Sequence, residues 1–177
     1  MLRLPELHEA CVKGHLDVVQ RLHSAGASVN ATDYHCSPLD LACKNGHIDV
    51  AQWLHSVGAS LDATDRDGCT PLHSACFMGH LDLAQWLHSV GASVHATDKW
   101  RRASLHRACS RAQHDVVQWL CSAGADATLK SNDGSTPAQL LQRYARETEF
   151  QVDQQALRST MACLVRRAQG PLLCTTV

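Results

Sequence analysis

The sequence predicts an all-α protein made of stacked helix pairs, and three observations lead to that prediction. One phrase occurs four times: QRLHSAGASVNATD (20–33), QWLHSVGASLDATD (52–65), QWLHSVGASVHATD (85–98) and QWLCSAGADATLKS (118–131). The central glycines Gly26, Gly58, Gly91 and Gly124 follow one another at intervals of 32, 33 and 33 residues. Helix start and stop signals recur with the same period. Units of this length bury their apolar faces only by packing on their neighbours.

The first helix of the unit is clearest after residue 69. Thr70 belongs to the residue types that cap helix N-termini, and Pro71 follows where a missing amide hydrogen has no cost. Gly79 can adopt the left-handed backbone conformation that ends a helix. These signals predict a short helix between Thr70 and Gly79.

A second helix follows in the same unit. Asp82 is expected in its first turn, near the positive end of the helix dipole. Leu83, Leu87 and Val90 recur at a spacing of three to four residues, which predicts one buried face. Gly91 ends this helix, and ASVHATDKW (92–100) predicts an extended loop to the next unit.

The whole segment DRDGCTPLHSACFMGHLDLAQWLHSVGAS (65–93) resembles an ankyrin repeat, with TPLH, GH and GA in fixed register. Four such repeats are predicted at about 1–33, 34–65, 66–98 and 99–131. NDGSTPAQLLQRYA (132–145) opens a degenerate C-terminal capping repeat, 132–169, whose last helix we expect to end near Gln169. Residues 1–169 are then one ankyrin-repeat domain and 170–177 a flexible tail. The resemblance implies a right-handed α-solenoid with hairpin loops projecting from one side.

The resemblance also implies a non-catalytic protein–protein interaction module that acts as an adaptor, scaffold or inhibitor. Family members bind through loop tips and the exposed side of the first helices, which line a concave face. Carried over by position, the loop tips contribute Tyr34, His35, Cys36, Arg66, Asp67, Cys69, Lys99, Trp100 and Arg102. The first helices contribute Lys44, Asn45, Phe77, Met78, Ser110 and Arg111. Large apolar and aromatic residues bordered by arginine and lysine are typical of an interface hot spot.

Charge is distributed unevenly along the predicted array. Residues 34–98 hold two basic and seven acidic residues, a net charge of −5. Residues 99–131 hold six basic and two acidic residues, a net charge of +4. We therefore expect a protein partner that presents an acidic or phosphorylated segment to repeat 4. The alternative is a nucleic acid or acidic ligand that binds repeat 4, with Trp100 stacking on it. The acidic middle of the array argues against this alternative, because it would repel a phosphate backbone.

The overall composition favours an intracellular protein. The formal net charge is −1, and no apolar stretch approaches the roughly 20 residues that span a bilayer. MLRLPELHEA (1–10) lacks the apolar core of a signal peptide. Nine cysteines without a CxxC pair indicate reduced thiols. We expect a monomer in the cytoplasm or nucleus.

Cysteine and histidine recur at a spacing that imitates a metal site. The pattern HxxCxxxH occurs as His8–Cys11–His15 and as His73–Cys76–His80, which raises a zinc or redox hypothesis. The resemblance implies instead that both histidine columns are structural, and that the TPLH histidines His73 and His106 tie neighbouring loops together. A catalytic site needs one special residue with an orienting partner, whereas these residues are copied in every unit. We expect no cofactor, no metal and no enzymatic activity.

A tryptophan column, Trp53, Trp86 and Trp119, lies on the predicted second helices. In the family this position carries an apolar residue that packs between repeats. We expect inter-repeat packing for the three indoles, and contact with a partner on the outer face is the alternative.

KWRRASLH (99–106) departs most from the repeat pattern. Arg101 replaces a turn glycine, Ala103-Ser104 replaces Thr-Pro at the helix start, and Ala112 replaces the glycine between the helices. Loss of an N-cap threonine costs typically about 1 kcal/mol. We therefore predict that repeat 4 is the least stable internal repeat. Arg101-Arg102-Ala103-Ser104 also resembles the substrate signature of basophilic kinases, which makes Ser104 a candidate phosphosite.

The chain's last residues resemble a ligand of PDZ domains. Thr175 and the terminal Val177 occupy the two positions that such domains read when the peptide adds a strand to their edge.

Overall fold

The computed structural model describes residues 4–32, 36–147 and 153–169. Within these ranges the protein is all-α and has no strand, and Thr97 and Ala103 form an isolated bridge between extended residues. The ten described helices are α1 Leu4–Lys13, α2 Leu16–Ser24, α3 Pro38–Asn45, α4 Ile48–Ser56, α5 Pro71–Met78, α6 Leu81–Ser89, α7 Ser104–Cys109, α8 His114–Ser122, α9 Pro137–Glu147 and α10 Gln154–Ala168. The predicted helix pairs are confirmed.

The helices stack in two layers. The odd-numbered helices contact one another in chain order, and so do several of the even-numbered helices behind them. The odd-numbered, first helices lie closer together than the second helices do. The stack therefore curves towards the first helices, which places them on its inner, concave side.

Leucine and alanine fill the space between the layers. Leu39, Leu72 and Leu105 occupy equivalent places on the first helices and are fully buried. Leu54, Leu87 and Leu120 do the same on the second helices. Because each of these side chains packs within one continuous core, truncating one to alanine is expected to cost about 2–5 kcal/mol.

Helix boundaries follow the local signals of each unit. At the start of α3, Ser37 Oγ accepts a hydrogen bond from Asp40 N at 3.1 Å. Thr70 is the N-cap of α5, and Gly79 ends it with φ of 85°, as predicted. The capping helix α10 starts at an Asp153 N-cap and ends beside Gln169, also as predicted.

The first helix of repeat 4 differs from the others. Helices α3 and α5 have eight residues each, whereas α7 has six. Arg101 and Ala112, which replace glycines, keep left-handed backbones with φ of 61° and 51°. A side chain in this conformation costs about 1 kcal/mol relative to glycine. The loss of the glycine at position 112 therefore coincides with a first helix that is two residues shorter.

Candidate binding surface

The concave side carries a cleft of about 430 Å³ between α3, α5 and α7. Its walls come from three first helices and from the loop that precedes α5. Acidic, apolar and basic side chains all contribute to its lining. The lining residues are Lys44, Asn45, Asp65, Asp67, Cys69, His73, Ser74, Phe77, Met78 and Arg107. The cleft can therefore accept a peptide segment that presents both apolar and charged side chains.

A buried carboxylate supports one wall of the cleft. Asp40 is 1% exposed and stands where the other units carry the TPLH histidine. Its Oδ1 accepts a hydrogen bond from Ser74 Oγ at 2.6 Å, and its Oδ2 pairs with Lys44 Nζ at 2.8 Å. The same ammonium lies 3.6 Å from Asp65 Oδ2. Lys44 thus joins a first helix to the next loop.

Neighbouring groups hold Lys44 and Asp65 in their ionised forms. Burial alone lowers the pKa of Lys44, but the hydrogen bond and charge of Asp40 outweigh it, so the pKa rises. Burial raises the pKa of Asp65, but hydrogen bonds from the amides of Cys69 and Asp67 outweigh it, so the pKa falls. Most of the Lys44 charge is therefore already neutralised inside the protein.

The Phe77 ring in the cleft lies close to two guanidinium groups. Arg111 lies over the Phe77 ring at 4.5 Å from the centroid, and Arg107 lies at 5.8 Å. Met78 beside them is 48% exposed. Cation–π contacts of this kind stabilise by about 0.5–1 kcal/mol at exposed sites, enough to hold Arg111 in place.

Asp98 organises the loop at the basic end. Its side chain is fully buried, and its Oδ1 accepts hydrogen bonds at 2.9 Å from the amides of Trp100 and Arg102. Its Oδ2 pairs with Arg102 Nε at 2.9 Å and with an Arg107 amino group at 3.1 Å. Two of the six basic residues of repeat 4 are thus compensated internally.

The loop tips are linked to one another by main-chain hydrogen bonds. The Lys99 amide donates to the Asp67 carbonyl at 2.9 Å, and the Asn132 amide donates to the Trp100 carbonyl at 2.9 Å. The Trp100 ring is 42% exposed, with the Arg102 guanidinium 4.5 Å from its centroid. The loops therefore form a continuous rim along the cleft.

Both recurring positions of the repeat pattern bind main-chain carbonyls. In the TPLH column, Nε2 of His8 and His73 bonds the carbonyls of Cys36 and Arg102 in the next unit at 3.2 Å and 3.1 Å. His106 Nε2 lies 3.0 Å from the carbonyl of Leu129, in the loop that ends its own unit. The second column reaches the preceding unit: His47 to Val12, His80 to Lys44 and Gln113 to Phe77, at 2.9–3.3 Å. The predicted role in tying adjacent loops is confirmed for His73.

The zinc hypothesis finds no support in this geometry. Within the described ranges, no three His, Cys, Asp or Glu side chains are placed to hold a metal ion. Burial raises the pKa of the Cys69 thiol to about 11 despite a contact with Arg107, so this thiol stays protonated at neutral pH.

The tryptophan column packs between repeats. Each indole meets the edge of a histidine ring from the preceding unit, with centroid distances of 5.4 Å, 5.8 Å and 5.9 Å for His23–Trp53, His55–Trp86 and His88–Trp119. All three indoles are partly buried against the core. The expectation of inter-repeat packing is confirmed.

The predicted contact residues divide into several groups. The cleft brings together Lys44, Asn45, Asp67, Phe77 and Met78. Arg66, Lys99, Trp100, Arg102, Ser110 and Arg111 lie outside its lining, on or beside the loop rim and α7. Tyr34, His35, Thr175 and Val177 lie outside the described residues.

One expectation needs correction, and one stays a prediction. Cys69 is buried under the loop instead of lying at its tip, because its amide and carbonyl both bond Asp65 and turn the chain inwards. Ser104 is completely buried at the first position of α7, facing the core. The kinase signature therefore stays a prediction only for a repeat 4 that has opened.

Three residues of the cleft and its rim escaped the sequence prediction. Asp65 and Asp98 close the recurring phrase in its second and third copies, and that recurrence was the available signal. Arg107 gave no signal, because its role depends on Asp98 and Phe77 from another unit.

This geometry defines a class: a solenoid of short helix pairs with a concave, loop-rimmed surface. A family model described as ankyrin repeats (3 copies) matches residues 7–98 and 57–131. The chain belongs to the ankyrin-repeat family. Ankyrin repeats generally mediate protein–protein interaction and are typically non-catalytic.

No curated protein matches the chain significantly. None of the described helices is both long enough and apolar enough to cross a membrane.

Proposed function

We propose that this protein is a non-catalytic adaptor, scaffold or inhibitor that binds a protein partner on the concave cleft and the loop rim. The observation that carries the proposal is the Phe77–Met78 pair on α5, with Met78 exposed and Phe77 half-buried beside two arginine side chains. Two large apolar residues in a cleft are the kind of anchor that contributes most to protein binding.

Charge gives the partner an orientation. Lys99, Arg101 and Arg111 are exposed, and no described carboxylate lies within ion-pair distance of them. Asp65 and Asp67 line the cleft itself. The partner's acidic or phosphorylated segment then meets Arg111, while its apolar side chains cover Met78.

Arg111 is a better probe of this surface than Arg102. Reversing Arg102 would disrupt its ion pair with Asp98 and confuse folding with binding. Arg111→Glu changes an exposed side chain whose only described contact is with the Phe77 ring.

The test is quantitative affinity capture with mass spectrometry. The full chain, the Met78→Ala/Arg111→Glu variant and an Arg158→Glu control on exposed α10 serve as baits. We expect the double variant to lose a partner by roughly 30-fold or more, equivalent to about 2 kcal/mol, and the control to keep it. Identical capture profiles for all three baits, with unchanged circular dichroism, would contradict the proposal.

A nucleic-acid ligand is the competing function, and Trp100 argues against it. A base would stack on the indole, but the Arg102 guanidinium already covers one of its faces. Passage of the protein through heparin at low salt would dismiss this alternative, whereas salt-dependent retention would favour it.

A further inference from the structure

The last step of the second-helix stack differs chemically from the earlier steps. In repeats 1 to 3 a histidine of one unit meets the indole of the next. Repeat 4 carries Cys121 at that position, on α8. The helix that packs next to α8 in the second layer, α10, carries Cys163. Cys121 is part of the core cluster and Cys163 packs against that cluster. The nearness of Cys163 contributes to raising the pKa of the Cys121 thiol. A histidine–tryptophan step is thus replaced by a step that carries two neighbouring cysteines.

Bonds on both sides fix the register of α10 against α8. Backbone Cα atoms of the two helices approach within 8 Å. Three contacts bracket the cysteine pair: His114 Nδ1 with Thr160 Oγ1 at 2.9 Å, Gln118 Nε2 with Ser159 Oγ at 3.4 Å, and Arg167 Nε with the Ala125 carbonyl at 3.3 Å. The pair is therefore held together by the packing of two helices.

We propose that Cys121 and Cys163 are a modification site: a hydroperoxide converts them to a reversible disulfide that fastens the capping helix α10 to repeat 4. Cys163 is partly exposed, whereas Cys121 is 6% exposed. The peroxide therefore reaches Cys163 first, and the buried Cys121 then reacts with the oxidised Cys163.

The reaction balances in two steps. The sulfur of Cys163 attacks one peroxide oxygen, the O–O bond breaks, and a sulfenic acid and one water form. The sulfur of Cys121 then attacks the Cys163 sulfur, the S–S bond forms, and the hydroxyl leaves with the Cys121 proton as a second water. Two thiols lose two electrons, and one hydrogen peroxide becomes two waters. A dithiol reverses the change by thiol–disulfide exchange.

Burial controls the second step. Burial and the neighbouring Cys163 raise the pKa of Cys121 to about 12, and the positive charge of Arg167 only partly opposes this. Few Cys121 thiolates exist at neutral pH, so ring closure depends on the two sulfur atoms being held together. Closure is expected to be faster at higher pH.

The core contains a second pair of neighbouring cysteines, neither of which is exposed, and this pair serves as a control. Cys43 on α3 and Cys76 on α5 are also neighbours, but both are fully buried. If proximity alone decided oxidation, both pairs would react. Because peroxide needs an accessible sulfur, only the pair with Cys163 should respond.

The experiment uses the full chain with Cys174→Ser, so that this cysteine outside the described residues cannot pair. The protein is treated with hydrogen peroxide, alkylated with N-ethylmaleimide, digested with trypsin without reduction and analysed by mass spectrometry. We expect a cross-linked product of peptides 112–130 and 159–166 that dithiothreitol separates, and no link between peptides 22–44 and 67–99.

Three variants make the result decisive. Cys121→Ser should leave Cys163 oxidised but not cross-linked, and Cys163→Ser should abolish the link. Cys109→Ala, which changes the thiol nearest to the pair, should keep it. A link that survives Cys121→Ser, or Cys163 oxidised singly in the unsubstituted pair, would overturn the proposal.

A second readout tests the fastening itself. Amide hydrogen exchange in 154–168 should slow by about tenfold after oxidation, because the disulfide removes open states of α10. Cys163→Ser should show no such change. Equal exchange in the oxidised and reduced protein would refute the fastening even if the disulfide formed.

Discussion

Repeats 3 and 4 occupy neighbouring places in one stack but build their first helices differently. In repeat 3, Thr70 and Gly79 delimit eight helical residues. In repeat 4, Ala103 and Ala112 hold the equivalent positions, and six residues are helical. Asp65 and Asp98 each bind two loop amides, but the fully buried Asp98 also pairs with two arginines of repeat 4. We therefore expect repeat 4 to depend more on its aspartate than repeat 3 does.

The largest expected effect comes from removing the Asp98 carboxylate. Asp98→Ala leaves Arg107, with 16% of its side chain exposed, without its carboxylate and frees two loop amides. We expect the free energy of unfolding, measured with urea, to fall by about 3 kcal/mol. The matched variant is Asp65→Ala, whose carboxylate lies 3.6 Å from Lys44 and is more exposed. It should cost about 1–2 kcal/mol. Equal losses would mean that repeat 4 is no more dependent on its aspartate than repeat 3.

Native-state hydrogen exchange compares the two helices directly. Amides of α7 should exchange more than about tenfold faster than those of α5, a difference of at least about 1.4 kcal/mol. The reasons are the missing threonine cap and the left-handed Arg101 and Ala112. Ala112→Gly should reduce the difference by about 0.5–1 kcal/mol. Equal protection of α5 and α7 would contradict the prediction that repeat 4 is the least stable internal repeat.

The smallest expected effect is on pH dependence. Burial lowers the pKa values of His73 and His106 below their ordinary value, although their carbonyl contacts oppose the shift. The unfolded chain then binds more protons below about pH 6.5, so the stability from these residues is complete above that pH and is lost as pH falls. His73→Gln should flatten the stability profile between pH 5 and 7 more than His106→Gln, because His73 Nδ1 also lies 2.8 Å from the Thr70 hydroxyl. Equal flattening by both would show that the threonine contact has no effect on titration.

The sequence predicted the architecture because each unit carries its own start, stop and burial signals. Thr70, Gly79 and the tryptophan column needed no knowledge of distant contacts. The side chains that face a partner were harder to predict. Arg102 was expected to face a partner, yet it pairs with Asp98, since a turn brings the two side chains together. Charge counts alone cannot distinguish a compensated arginine from an exposed one.

The shortening of α7 by two residues was also beyond prediction. Replacement of glycine by Ala112 indicated a cost but not the form that the cost takes. The backbone at residue 112 stays left-handed, and the helix ends earlier.

The backward-reaching side chains limit how such an array can grow. A methyl group added at Gly14 would lie 2.5 Å from the His47 ring, and one added at Gly46 would lie 2.7 Å from the His80 ring. Each glycine therefore leaves the space that the histidine of the following unit occupies. Duplication of repeat 3 beside itself preserves this fit, because the copy brings both the glycine and the histidine. In repeat 4 the methyl group of Ala112 already occupies the corresponding space. Units can therefore be inserted ahead of repeat 4, whereas a further GH-type unit behind it would first require glycine at 112.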